Sequence, residues 1–367
     1  MSRHVTSLLV ASVTLVFASH AYANPLDAFG FGARGLSLSG AMTANATDFS
    51  ANYYNPAGLA AENDLRIEMG YIYVDPSMQL NDADMDVDRN YGVQGGVLLP
   101  GRVFDRNISF SFGIHLPAER ISRIRALPQR QPRWVLYDNR PQRLVITTSL
   151  AFEIVDDLFI GAGLTYLSDT GGVMEMDGLV ALQDAEETAF FSGVDVDLAS
   201  VRYPSAGLLF TPGNWRFGLA FRDEFFLGLD LTVEVAGDVG GFVAGGPPLV
   251  EGASFLVRTQ STNLFSPRQL AFGATYETER WMGTLDLTWA QWSRFPAPAA
   301  SIDIDLDLGV LEFAVPPSDE VLDPGFGDII IPRVGVEYLA VDNERFGLTL
   351  RGGATVEPSR QCVNERT

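Results

Sequence analysis

The sequence predicts an all-β chain: a transmembrane antiparallel β-barrel with an N-terminal plug (hatch). Three observations lead there. A cleavable leader opens the chain, and segments of about ten residues then alternate apolar with polar or small side chains, as barrel strands do. No segment after the leader offers about twenty uninterrupted apolar residues, the length a membrane helix needs. A chain exported without such a helix enters a bilayer only as a closed sheet, because lipid satisfies no backbone group.

The leader is residues 1–23. It carries Arg3 and His4, an apolar run from Val5 to Ala18, and Ala21-Tyr22-Ala23 as a small-x-small cleavage site. Residues 24–63 follow, rich in Gly, Ala, Ser and Asn and ending in Asn55-Pro56-Ala57-Gly58. They show neither a 3.6-residue apolar stripe nor an extended alternation. Such a stretch cannot build a core alone, but its small residues let it pack tightly inside something larger. It is expected to fill the barrel.

The wall occupies residues 64–357. Ile108, Phe110, Phe112, Ile114 and Leu116 alternate with Asn107, Ser109, Ser111, Gly113 and His115, and Trp215, Phe217, Leu219 and Phe221 with Arg216, Gly218, Ala220 and Arg222. Successive strand side chains point to opposite faces, so each segment has one greasy and one polar or small face. A soluble sandwich alternates too, with its greasy face inward. Aromatics near strand ends (Tyr71, Tyr73, Tyr166, Trp215, Tyr276, Trp281, Trp289, Tyr338) favour the membrane, where they form interfacial girdles. Short turns alternate with long loops and delimit eleven strands, near 64–75, 90–99, 107–116, 142–154, 158–168, 197–210, 215–235, 254–277 (bent at Pro267), 281–305, 328–340 and 345–356. An odd count leaves the last strand at the outer face, whereas single-chain bacterial barrels normally have an even number.

Composition narrows the partners. With 25 basic residues, all of them Arg, against 46 acidic ones, the formal net charge is −21. Nucleic acid does not suit so acidic a chain. The single Cys362 permits neither an internal disulfide nor a thiolate metal site. Two of the three His leave with the leader, so only His115 remains for catalysis or metal binding; no enzyme, cofactor or metal centre is expected. Asp84, Asp86 and Asp88 alternate in the first loop, but lack the Gly and Glu of a calcium loop.

Two blocks carry a resemblance. The first is Asn24-Pro25-Leu26-Asp27-Ala28-Phe29-Gly30-Phe31-Gly32-Ala33-Arg34-Gly35, with Ser50-Ala51-Asn52-Tyr53-Tyr54-Asn55-Pro56-Ala57-Gly58 beyond it. The second is Phe265-Ser266-Pro267, Phe272-Gly273-Ala274-Thr275-Tyr276, Asp286-Leu287-Thr288-Trp289 and Trp292-Ser293-Arg294-Phe295. In order and spacing they resemble the outer-membrane long-chain fatty-acid and aromatic-hydrocarbon transporters of the FadL/TodX (OMPP1) family.

The resemblance implies a hatch inside a barrel of about fourteen strands, of which about eleven are present here. It also implies that Gly352-Gly353…Glu357-Pro358-Ser359 precedes further strands, so residues 358–367 read as an aberrant tail. A truncated or frameshifted gene model is the first explanation; a shorter barrel, or one completed by another chain, is the second. The implied function is uptake of hydrophobic small molecules, fatty acids first, by ligand-triggered hatch movement and passive diffusion. Aromatic hydrocarbons are the alternative, as is a degenerate outer-membrane protein that transports nothing. Lipopolysaccharide, outer-membrane lipids and the assembly machinery are the implied partners of a monomer.

Candidate site residues follow from type and parity. Asn55, Pro56 and Ala57 match the hatch motif: Pro fixes the backbone, Asn bonds the adjacent turn and Ala permits close packing. Arg66, Glu68, Arg143, Glu153, Arg216, Arg222, Asp286, Arg333, Glu337 and Arg351 face inward by parity. They form either a network of paired charges or, through Arg143, Arg216, Arg222, Arg333 or Arg351, a seat for a ligand carboxylate, which a guanidinium fits bidentately. Arg120, Arg123, Trp134 and Tyr137 lie in the second outer loop and suit lipopolysaccharide phosphates or initial capture of an amphiphile.

Overall fold

The computed structural model describes Leu26 and residues 30–75, 77, 79–80, 83–84, 89–119, 143–180, 189–239, 250–296, 300–307, 325–343 and 346–358. Fourteen strands form one sheet. In chain order they are β1 Arg66–Val74, β2 Asn90–Val103, β3 Arg106–Pro117, β4 Val145–Val155, β5 Leu158–Val180, β6 Ala189–Phe210 and β7 Trp215–Arg222. Then come β8 Phe225–Val239, β9 Val250–Ser266, β10 Gln269–Glu277, β11 Trp281–Ala290, β12 Ala300–Asp307, β13 Ile329–Asn343 and β14 Phe346–Thr355.

Eleven of these follow one another as β1-β2-β3-β4-β5-β6-β7-β10-β11-β13-β14, every neighbouring pair antiparallel. They correspond to the eleven strands expected from the turns and loops. Among the described residues no ladder joins β1 to β14.

The turns show why the strands reverse where they do. Phe104 and Asp105 both have positive φ, 52° and 61°, between the paired Val103 and Arg106. Two left-handed central residues match the twist of the strands they join. Asp157 at φ 66° and Gly213 at φ 64° turn β4 into β5 and β6 into β7.

Three long strands depart from expectation by breaking. β7 stops at Asp223-Glu224 and resumes as β8, β9 stops at Pro267 and resumes as β10, and β11 gives way to a 3-10 turn, Trp292–Arg294, before β12. Proline lacks the N–H a ladder needs, which accounts for the second break. The outer pieces make a ladder of their own, β9 pairing with β8 and β12, and β8 pairing in parallel with β5 from Leu231↔Gly172 to Val239↔Val180. That parallel pair was not expected in an antiparallel barrel. β4 leaves β5 beyond Val145↔Leu167 while β6 stays paired, so one edge of β5 is left open and β8 covers it.

The faces sort as parity requires. Ile67 and Met69 are 73% and 80% exposed, and Phe110, Phe112, Leu150, Leu270, Phe272, Leu285 and Leu287 lie on the same outer face. Ser109, Ser111, Thr147, Ser149, Ser205, Thr275, Thr284, Asp286 and Thr288 are buried on the inner face. An inside polar and an outside greasy is the reverse of a soluble sandwich and the pattern of a lipid-facing wall. Near the short turns, Trp215 packs on Tyr276 at 4.8 Å and Trp281 on Tyr338 at 4.3 Å between ring centroids, an aromatic band at one rim.

What covers the inner face is residues 30–61, with the short helices α1 (Ala33–Ser37) and α2 (Ala51–Tyr54) and a 3-10 turn, Pro56–Ala61. They touch Gln94 on β2, Ser111 on β3, Leu208 on β6, Arg222 on β7, Asp286 on β11 and Glu337 on β13. A flat sheet of eleven strands spaced about 4.8 Å apart would be roughly 50 Å wide. One compact stretch reaches both sides of it only because the sheet curls around that stretch. The main core is accordingly here, with Phe31, Phe49 and Tyr53 in edge-to-face contact.

Candidate functional site

The Asn55-Pro56-Ala57 motif sits where the 3-10 turn meets β5 and β6. Asn55 Oδ1 accepts from the Ala57 N–H at 3.1 Å, capping that turn. Its Nδ2 donates to the Thr43 carbonyl at 2.7 Å and to the Leu208 carbonyl at 3.0 Å. Pro56 opens the turn, where its missing N–H costs nothing. The wall makes room with glycine: a Cβ at Gly207 would overlap Asn55 Oδ1, and one at Gly161 would overlap the Pro56–Ala57 peptide.

Thr43 links this motif to β11, three strands further along the sheet. Its N–H donates to Asp286 Oδ2 at 2.7 Å, and Asp286 is only 1% exposed. Asn52 Nδ2 donates to Ser111 Oγ at 2.7 Å, and Arg222 Nη1 to the Tyr53 carbonyl at 2.7 Å. The backbone of 41–61 is thus held by side chains from strands all around the path.

The five candidate Arg residues part company. Arg222 and Arg333 line one cavity of about 180 Å³, together with Leu26, Leu36, Tyr53 and Tyr54. The Arg222 guanidinium lies 4.1 Å from the centre of the Tyr53 ring and donates to Gln269 Oε1 at 2.6 Å. Arg333 donates to Thr288 Oγ1 at 2.7 Å, beside Gly40. Arg216 instead pairs with Glu277 at 3.0 Å, and Arg351 with Glu337 at 3.1 Å. Arg143 is fully buried and donates to the Ser168 carbonyl at 2.6 Å. Arg120, Arg123, Trp134 and Tyr137 lie outside the described residues, as do Asp86 and Asp88.

Parity missed the residues supplied by the N-terminal segment. Tyr53 and Tyr54 wall the cavity, and Arg34 Nε donates to Glu337 Oε1 at 2.6 Å. No alternation runs through that segment, so nothing in its pattern says which way a side chain points. The inward position of His115 is met: it is 1% exposed on β3. Among the described residues no cluster of metal-binding side chains occurs.

A greasy outer wall, a polar lining and a tightly fitted internal segment with a lined hollow define an outer-membrane β-barrel transport protein. Residues 9–361 match the model of the family described as outer membrane protein transport protein (OMPP1/FadL/TodX), and the chain belongs to that family. The family is one of outer-membrane transport proteins, not of enzymes. In fold the chain is similar to the Pseudomonas putida toluene transporter TodX, at TM-score 0.50 and 15% identity, covering 89% of this chain and 85% of that one. It is also similar to the Ralstonia pickettii toluene transporter TbuX, at TM-score 0.48 and 16% identity, covering 90% and 87%. No curated protein matches the chain.

Proposed function

We propose that this chain takes up long-chain fatty acids, with residues 24–63 as the plug and the cavity between Arg222 and Arg333 as the seat of the carboxylate. The observation that carries the reading is that these two guanidiniums, alone among the five candidates, line the same hollow, which Leu26, Leu36, Tyr53 and Tyr54 complete. Guanidiniums bind a carboxylate with strong, oriented hydrogen bonds, and apolar and ring surfaces take the first carbons of a tail. Movement of the plug then passes the solute on, driven by its gradient. The chain works as a monomer.

A second reading is an aromatic hydrocarbon, supported by the ring-lined cavity and by the toluene transporters among the similar structures. A neutral ring leaves both Arg residues to structural bonds. Growth on oleate in a Gram-negative strain lacking its own fatty-acid transporter tests the proposal. Rescue supports it; failure on oleate with gain of toluene uptake overturns it in favour of the second reading. Failure on both points to a protein that no longer transports.

A further inference from the structure

A short turn joins β10 to β11 on the rim that carries the aromatic band. It is closed by the Thr278 N–H, which donates to the Trp281 carbonyl at 2.7 Å. Glu279 and Arg280 stand at its tip, both exposed. Among the described residues neither side chain has an ion pair or a hydrogen bond, whereas Arg216 and Glu277 beside them pair at 3.0 Å. The tip therefore offers one cation and one anion, adjacent and uncommitted.

Rings flank the turn on the outer face, Trp215 with Tyr276 on one side and Trp281 with Tyr338 on the other. Trp281 is 55% exposed. Two residues further along β11, on the same face, comes Gly283, in register with Tyr276 on β10 and Val336 on β13. A Cβ there would meet nothing within 4 Å. The wall thus carries a groove one side chain wide, running from Trp281 toward Leu285 between Tyr276 and Val336.

Short turns take the periplasmic side of a bacterial barrel, so this rim meets the inner leaflet, which is built of glycerophospholipids. We propose that it holds one phosphatidylethanolamine molecule, with the phosphate on Arg280, the ammonium between Glu279 and the Trp281 ring, and an acyl chain in the groove over Gly283. A guanidinium binds phosphate with oriented, charge-assisted hydrogen bonds. An ammonium is drawn both to a carboxylate and to an indole face. A headgroup with one charge of each sign matches a tip with one charge of each sign. Phosphatidylglycerol brings no cation to Glu279, and the choline of phosphatidylcholine has no N–H to donate.

The test is native mass spectrometry of the full chain, folded in detergent, with equimolar dioleoyl phosphatidylethanolamine, phosphatidylglycerol and phosphatidylcholine. One phosphatidylethanolamine should be retained about fivefold more than either competitor, the scale of an exposed charge pair. Arg280→Gln and Glu279→Gln should each abolish that preference, and Gly283→Leu, which fills the groove, should cut retention of all three lipids. Arg102→Gln, an exposed cation near another short turn, should change nothing. Heat-modifiable migration on gels confirms that each variant is folded. Equal retention of the three lipids, a preference for phosphatidylglycerol, or a loss as large in Arg102→Gln as in Arg280→Gln overturns the site.

Discussion

Asn55 and Leu208 lie 153 positions apart and meet in a 3.0 Å hydrogen bond, side-chain amide to backbone carbonyl. The same amide nitrogen reaches the Thr43 carbonyl, and Thr43 reaches Asp286. Asn55 and Thr43 together therefore tie the internal segment to both β6 and β11.

Removing its hub has a local effect. Asn55→Ala deletes three bonds and leaves the Thr43 and Leu208 carbonyls and the Ala57 N–H short of a partner, a loss of about 2–4 kcal/mol centred on residues 41–61. Hydrogen exchange in detergent should quicken across 41–61 and stay slow in β2 to β5. Equal acceleration in the strands would mean that the motif supports the wall as well.

The glycine opposite is a steric partner. Gly207→Ala places a methyl group on Asn55 Oδ1, and the overpacking should cost roughly 1–3 kcal/mol. Gly283→Ala on β11 meets nothing within 4 Å and is the matched control. Thermal unfolding in detergent should drop for the first and not for the second.

Arg222 and Arg333 are separable from the wall's stability by ligand chemistry. Arg333→Gln or Arg222→Gln should weaken binding of oleate about 10- to 100-fold, the range of a charge-assisted hydrogen bond. Affinity for oleyl alcohol, which has the same chain and no charge, should change little. Equal losses for both solutes would show that the substitution deforms the cavity instead of removing a carboxylate partner.

The outer face is tested by charge. Leu285 projects into lipid from the middle of β11, and Leu285→Arg should cost roughly 2–4 kcal/mol in folding into vesicles. Ser293→Arg, on an exposed turn beyond the strand end, should fold nearly as the parent does.

The wall was legible in the sequence because alternation is a direct imprint of its two faces. Ile108 to Leu116 or Trp215 to Arg222 can be sorted by counting in twos, and the eleven strands and the inward Arg residues follow. The breaks at Asp223-Glu224 and Gln291 were not, since each half alternates correctly and nothing local says that the outer half will pair elsewhere. The site was legible only from its wall side. Arg222 and Arg333 could be placed inward, but their meeting in one cavity depends on Tyr53, Tyr54 and Leu36. Those come from a stretch without period, whose course is dictated by the hollow it occupies. The same holds for Arg34, whose role appears only once Glu337 is beside it.

Leu38 packs against Gly335 on β13 and Gly353 on β14, yet it belongs to a portion of the chain that leaves the ribosome and crosses the inner membrane first. Its resting place does not exist until the last described strands arrive. Leu38 therefore reaches its packed position only once β13 and β14, the strands furthest from it along the chain, are in place.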